Sequence, residues 1–137
     1  MTQDILTKLV AALRDEKYVG HEGWQYLLQR SLRATQRFNL WGVLYQVAKE
    51  SPDFDATGIV ESYDMKQIGT TLQVLVLTYD NQEYTSILPP PVRVWAGLDK
   101  LPQPLLRELT EWNAQQLPFA TLADKVEHAL TPYLLPS

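Results

Sequence analysis

Apolar residues near the start of the chain recur at spacings of three and four. Ile5, Leu6, Leu9, Val10 and Leu13 fall on one stripe, the pattern of an amphipathic helix. Thr2 or Asp4 suits its N-cap, and Arg14 and Lys17 suit the negative end of its dipole. Gly20 and Gly23 bracket a loop. From about Trp24 to about Lys49 the spacing again reads as helical: Trp24, Leu27, Leu28, Leu32 and Thr35 share one face, and Trp41, Leu44, Tyr45 and Ala48 share another. The pattern drifts near Asn39, and Gly42 weakens a helix by about 1 kcal/mol relative to Ala, so one long helix and two shorter ones both fit. Ser51-Pro52-Asp53 ends the stretch.

The period then changes to two. Ile59, Tyr63 and Met65 alternate with Ser62 and Asp64, as in a half-covered strand. Leu72 to Tyr79 is continuously apolar at its centre, the signature of a strand covered on both faces. Asp80-Asn81-Gln82 supplies turn chemistry, and Glu83 to Leu88 returns as a third strand. These strands predict an antiparallel meander of three strands, with Val92-Arg93-Val94-Trp95 as a short fourth at the edge. Pro89-Pro90-Pro91 favours an extended polyproline conformation between them. Pro102 and Pro104 open a helix whose inward face is Leu105, Leu109 and Trp112. Leu117-Pro118 breaks it, and Thr121-Leu122-Ala123-Asp124 reads as the capping box of a last helix carrying Leu122, Val126 and Leu130. The expected fold is α+β: N-terminal helices, a central three- to four-stranded antiparallel meander, and C-terminal helices packed on one sheet face as a second layer.

Composition agrees with one such domain over residues 1–137. Hydrophobic residues make up 45% of the chain and charged residues 20%, ordinary globular values. The formal net charge of −4 argues against nucleic acid as a principal partner, since phosphate neutralisation calls for a basic excess. Cysteine is absent, which removes disulfides, thiolate nucleophiles and thiolate-bound metals. The N-terminal residues lack a signal-peptide pattern, and the apolar runs fall short of the ~20 residues that span a bilayer. A cytoplasmic protein without membrane partners is expected.

No catalytic constellation emerges from the residues. His21 and His128 are the two histidines, and neither has a ligand-spaced companion, so no metal is expected. Nucleophile elbows, phosphate loops and dinucleotide fingerprints are missing, so no cofactor is expected either. Asp64-x-Lys66, with Asp53, Asp55 and Glu61 nearby, matches a magnesium nuclease half-site only minimally. Two segments stand out for partner binding. Arg30, Arg33 and Arg37 form one stripe if their segment is helical, and guanidinium forks grip acidic groups well. Pro89, Pro90, Pro91, Arg93 and Trp95 combine a pre-ordered proline run with an aromatic anchor, unless they form a rigid connector with Trp95 in the core. Trp24, Trp41, Trp112, Tyr45, Tyr63 and Tyr79 are expected in the core. A small-ligand pocket would draw on His21, Glu22, Glu61, Tyr63 and Asp64.

These observations favour a non-catalytic accessory or adaptor protein acting on another protein, as an assembly factor or in a chaperone-like way. The alternative is a small-ligand-binding protein or enzyme with a pocket between helices and sheet. A third reading is weak nucleic-acid binding through the arginine stripe. Homodimerisation fits any of the three, because open sheet edges and apolar helix faces self-associate.

Overall fold

The computed structural model of the protein describes residues 1–15, 19–20, 26–31, 37–68, 70–115 and 117–134. Helix α1 (Gln3–Arg14) starts where the Thr2 hydroxyl accepts the Ile5 amide proton at 3.3 Å. Its apolar stripe, Ile5, Leu6, Leu9, Val10 and Leu13, is buried as the spacing predicts.

The helical reading of residues 24–49 is overturned in its first half. Two short strands stand there, β2 (Leu28–Ser31) and β3 (Arg37–Phe38), with β1 (Val19–Gly20) before them, and α2 covers only Leu40–Glu50. Leu27 and Leu28 satisfy a helical spacing, but pairing decides the outcome. Gln29 lies opposite Val74 and Arg30 opposite Gln73 on a later strand, so non-local pairing overrides local propensity. Asn39, where the helical pattern drifts, is the N-cap of α2: its Oδ1 accepts the Gly42 amide proton at 2.7 Å. Gly42 has a packing reason. A Cβ there would sit inside van der Waals contact of the Leu27 carbonyl, so only glycine lets α2 seat against the chain entering β2.

The meander forms from β4 (Val60–Ile68), β5 (Thr70–Tyr79) and β6 (Gln82–Tyr84) with antiparallel pairing throughout, but its third strand is corrected from Glu83–Leu88 to three residues that begin at Gln82, directly after the two-residue turn. Asp80 and Asn81 both take positive φ, 50° and 63°, the two-residue primed turn that matches strand twist. The strands join in the order β1-β3-β2-β5-β4, with β6 also on β5; β1 and β3 pair in parallel. Val74, Leu75, Val76 and Leu77 are all buried, as a continuously apolar central strand requires. Leu75 and Leu77 join Leu28 and Phe38 and the inward residues of the helices in one core.

The segment after the meander departs from expectation. Pro90 and Pro91 occupy the first two positions of helix α3 (Pro90–Ala96), where their missing N–H groups cost nothing. There is no edge strand at Val92-Arg93-Val94-Trp95. Val92 and Ala96 are buried, Trp95 is half-buried and Val94 is 69% exposed, so the period is helical. Gly97, at φ 73°, ends α3 in the left-handed conformation and turns the chain into a 3-10 turn at Leu98–Lys100. Helix α4 (Gln103–Ala114) follows Pro102 and buries Leu105 and Leu109. Helix α5 (Phe119–Leu130) starts two residues before the anticipated Thr121 box. Pro118 caps it with an extended backbone, and the Leu122 amide donates to the Pro118 carbonyl at 2.9 Å. A 3-10 turn at Thr131–Tyr133 follows.

α5 packs on α1, and α1 on α2. Arg14 of α1 reaches Asp124 at 2.6 Å and Glu127 at 3.8 Å on α5. All three side chains are well exposed, so these pairs are worth about 1 kcal/mol at most, and the buried leucines carry the packing. The result is an α+β fold with helices at both ends of an almost wholly antiparallel sheet. Among the described residues no helix is long and apolar enough to cross a membrane.

Candidate functional site

Among the described residues β4 is an edge of the sheet, and its pairing assigns each side chain to a face. Glu61 opposite Leu77, Tyr63 opposite Leu75 and Met65 opposite Gln73 lie on the side of the helices; Ser62 and Asp64 lie with Val76 and Val74 on the other. Helix α2 covers the first of these positions. The buried Tyr45 hydroxyl donates to Glu61 Oε2 at 3.0 Å, and Lys49 Nζ stands 3.3 Å from the same oxygen. Burial, then the neighbouring Glu61 charge and its hydrogen bond, hold the Tyr45 phenol well above its ordinary pKa, so it remains a donor.

Beyond Glu61 the cover thins. Tyr63 is 39% exposed and Met65 49%, while Val60 on the opposite face is 61% exposed. The expectation of a core Tyr63 is therefore corrected: β4 has no second neighbour among the described residues to shelter it. Arg30 of β2 reaches over instead, with its guanidinium carbon 4.1 Å from the Tyr63 ring centre and its Nε donating to Gln73 Oε1 at 2.7 Å. Tyr63, Met65, Arg30 and Gln73 thus form an amphipathic patch beside the side of β4 that faces away from β5.

The charges along β4 are engaged within the chain. Glu61 is held by Tyr45 and Lys49, and Asp64 pairs with Lys66 at 3.4 Å. Free charges are the usual guard of an exposed edge, and here that guard is weakened.

The arginine stripe is not formed. Arg37 lies opposite Gln29, whose side chain points away from that of its neighbour Arg30, so Arg30 and Arg37 stand on opposite faces of the sheet. Arg33, His21, Glu22 and Trp24 lie outside the described residues. Of the anticipated ligand pocket, Glu61 and Tyr63 share the helix side and Asp64 stands on the reverse, because alternation along β4 separates them. Pro89 is buried and Pro90 and Pro91 are half-buried in the start of α3, so they are not displayed as an extended ligand. Trp95 packs edge-on against Phe54, 5.6 Å between ring centres, with its indole N–H buried and without a partner. Arg93 also keeps a buried Nε–H without a partner.

The exposed apolar positions Val60 and Met65 were legible only indirectly. The alternation of Ile59, Tyr63 and Met65 with Ser62 and Asp64 reads as a half-covered strand, and the exposure of Tyr63 and Met65 corrects that reading.

Several further concavities among the described residues are open to solvent. A groove of about 600 Å³ between α4 and α5 is lined by Leu105, Trp112, Lys125, His128 and Tyr133 among others. A pocket of about 300 Å³ includes Trp41, Arg93 and Leu106 in its lining. Among the described residues no group of three or more His, Asp or Glu gathers in a metal-binding arrangement. No family model, no curated protein and no solved structure matches the chain.

Proposed function

We propose that the protein is a non-catalytic accessory protein that holds an extended segment of another protein along the edge of β4. The observation behind this reading is the edge itself: from Val60 to Lys66 the only strand paired with β4 among the described residues is β5, with Val60, Tyr63 and Met65 exposed along it. An incoming strand would complete the outward backbone hydrogen bonds, which give affinity, and its alternate side chains would meet Tyr63 and Met65, which give selectivity. An assembly factor or chaperone-like protein that shields a partner's strand would use such an edge. Binding to nucleic acid loses its support, since Arg30 and Arg37 do not make a common surface.

The test compares the parent chain with Val60→Lys/Met65→Glu, two exposed changes that recharge the edge while leaving the core untouched. Partners captured from source-cell lysate by each would be identified, and amide hydrogen exchange would be followed in the purified complex. A partner retained by the parent, lost by the variant and protecting the β4 amides would support the reading. A complex that forms equally with the variant and leaves β4 exchange unchanged would overturn it. If the parent alone shows concentration-dependent sedimentation that the variant lacks, the segment held is a second copy of this chain.

A further inference from the structure

The turn that follows β5 determines which backbone groups of β4 point away from it. Tyr79 and Gln82 close that two-residue turn and form a hydrogen-bonded pair. Backbone groups alternate in direction along an antiparallel strand, so Tyr79 and Leu77 address β6, while Thr78, Val76 and Val74 address β4. Opposite these three stand Val60, Ser62 and Asp64. Tyr63 and Met65 therefore carry their N–H and C=O groups outward. The Met65 amide accordingly donates to a side chain of its own strand, Asp64 Oδ1, at 3.0 Å.

The charges of β4 are arranged to complement a copy of themselves. Asp64 and Lys66 lie two residues apart and pair at 3.4 Å, with 59% and 43% of their side chains exposed. A pair so exposed is worth little within the chain and is readily exchanged. If two β4 strands meet antiparallel about a two-fold axis at Met65, Asp64 stands opposite Lys66 of the second copy, and Lys66 opposite its Asp64. An axis at Asp64 or at Lys66 sets like charges face to face, which destabilises a strand pair. An axis at Tyr63 sets Lys66 opposite Val60. On the helix side, the axis at Met65 brings the two Met65 side chains together, and each Tyr63 lies diagonal to Met65 of the second copy, within reach of an aromatic ring.

Resting on the reading of β4 as an edge that accepts a strand, we propose that a second copy of this chain occupies it when no other strand does. The two copies pair antiparallel over residues 62–68, with the two-fold axis at Met65. Such a contact is self-complementary, as a two-fold interface must be. Forming it exchanges contacts one for one. The Met65 amide passes from Asp64 Oδ1 to the Met65 carbonyl of the second copy, and Asp64 turns from its own Lys66 to that of the second copy. The pairing also covers a backbone edge that would otherwise template aggregation.

The experiment follows sedimentation equilibrium of the full chain, as parent, as Asp64→Lys, as Lys66→Glu, and as an equal mixture of the two variants. The parent should dimerise. Each variant alone should dimerise at least about tenfold more weakly, because both attractive pairs become repulsive. The mixture should recover to within a few-fold of the parent, since every charge then meets its opposite. Because the chain has no cysteine, Met65→Cys places one thiol per chain at the axis. Directly opposed α-carbons ~5.5 Å apart lie within disulfide reach, so mild oxidation should link the two copies. Tyr63→Cys should not link, its counterpart being about 13 Å away along the strand at ~3.3 Å per residue. A parent that stays monomeric up to ~1 mM, a mixture that does not recover, or linkage through Tyr63→Cys in place of Met65→Cys would each overturn the pairing. Should a charge variant misfold, the two cysteine variants decide the matter alone. None of these results bears on capture of another protein by β4, which is read from the lysate complex, so the two proposals fail separately.

Discussion

Strands β4 and β5 run side by side from Val60 opposite Thr78 to Ile68 opposite Thr70, yet they live in different surroundings. β5 has β4 along one edge and β2 and β6 along the other, and it buries Val74, Leu75, Val76 and Leu77 to within 5% of full burial. β4 has β5 alone among the described residues, and its residues from Val60 to Met65 are exposed. The ladder of hydrogen bonds joining them is common to both; β5 adds pairing with β2 and β6, and the rest of the difference is burial. Of the two, apolar area removed from water is the larger stabilising term. The buried centre of the sheet lies in β5, and β4 carries its exposed flank.

Truncation gives the largest contrast. Leu75→Ala should destabilise the protein by about 3 kcal/mol, the cost of lost transfer energy plus the cavity left in a packed core. Met65→Ala removes a side chain that is 49% exposed and should stay within about 0.5 kcal/mol of the parent. Denaturant unfolding of both variants measures the gap. Equal losses would mean that β4 carries as much of the fold as β5, and the comparison would fail.

Gly42→Ala tests how closely the helical layer is seated over the sheet. Helix propensity alone favours the change by about 1 kcal/mol. The new methyl group would collide with the Leu27 carbonyl, a backbone atom that cannot rotate aside. Overpacking of this kind costs typically ~1–3 kcal/mol, occasionally more, and the net effect expected is a loss of about 2 kcal/mol in thermal or denaturant unfolding. A stabilised variant would show that α2 slides freely over β2.

Which parts of this arrangement were legible depended on whether their cause was local. The α1 stripe, the Asp80-Asn81 turn and the unbroken apolar run of β5 are each determined by neighbours in sequence, and each formed as read. β2 is different. Gln29 and Arg30 have little intrinsic preference for a strand, and they adopt one because Val74 and Gln73, more than forty positions away, complete their backbone bonds. The same long-range pairing divides Arg30 from Arg37, so the stripe suggested by helical spacing had no physical basis. At Val92-Arg93-Val94-Trp95 a period of two competed with two prolines placed for a helix start, and the burial of Val92 with Ala96 favoured the helix. The exposed edge of β4 and the pocket around Arg93 both depend on which elements come together, a property that no short window of sequence carries.

The Tyr45–Glu61 hydrogen bond fastens the covered end of β4 to α2, and pH reports on it. The folded state raises the phenol's pKa, so its proton is retained in the native protein when the unfolded chain has already lost it. The stabilisation is therefore fully present below the unfolded tyrosine value near 10 and declines as pH rises beyond it, by up to about 1.4 kcal/mol per pH unit for this one proton. Tyr45→Phe should be less stable at neutral pH, because Glu61 loses a donor, and should show a shallower decline above pH ~10. Parallel alkaline slopes for the two proteins would mean that the phenol is not protected by the fold.

The smallest effect concerns the uncovered end. Arg30 stands over the Tyr63 ring while also bonding to Gln73, so it holds two β-strands and an exposed aromatic in one arrangement. A cation over an exposed ring is worth ~0.5–1 kcal/mol, whereas the hydrogen bond to Gln73 does not involve Tyr63 at all. A double-mutant cycle of Arg30→Gln with Tyr63→Leu separates the two, because the loss at Gln73 appears in both arms containing the arginine change and cancels. The expected coupling is about 0.5 kcal/mol, weakening little with salt since the ring carries no net charge. Coupling of that size means Tyr63 is already oriented before a partner arrives, which lowers the ordering cost of binding at β4. Zero coupling would leave Tyr63 unfixed, and the partner strand would have to order the ring itself.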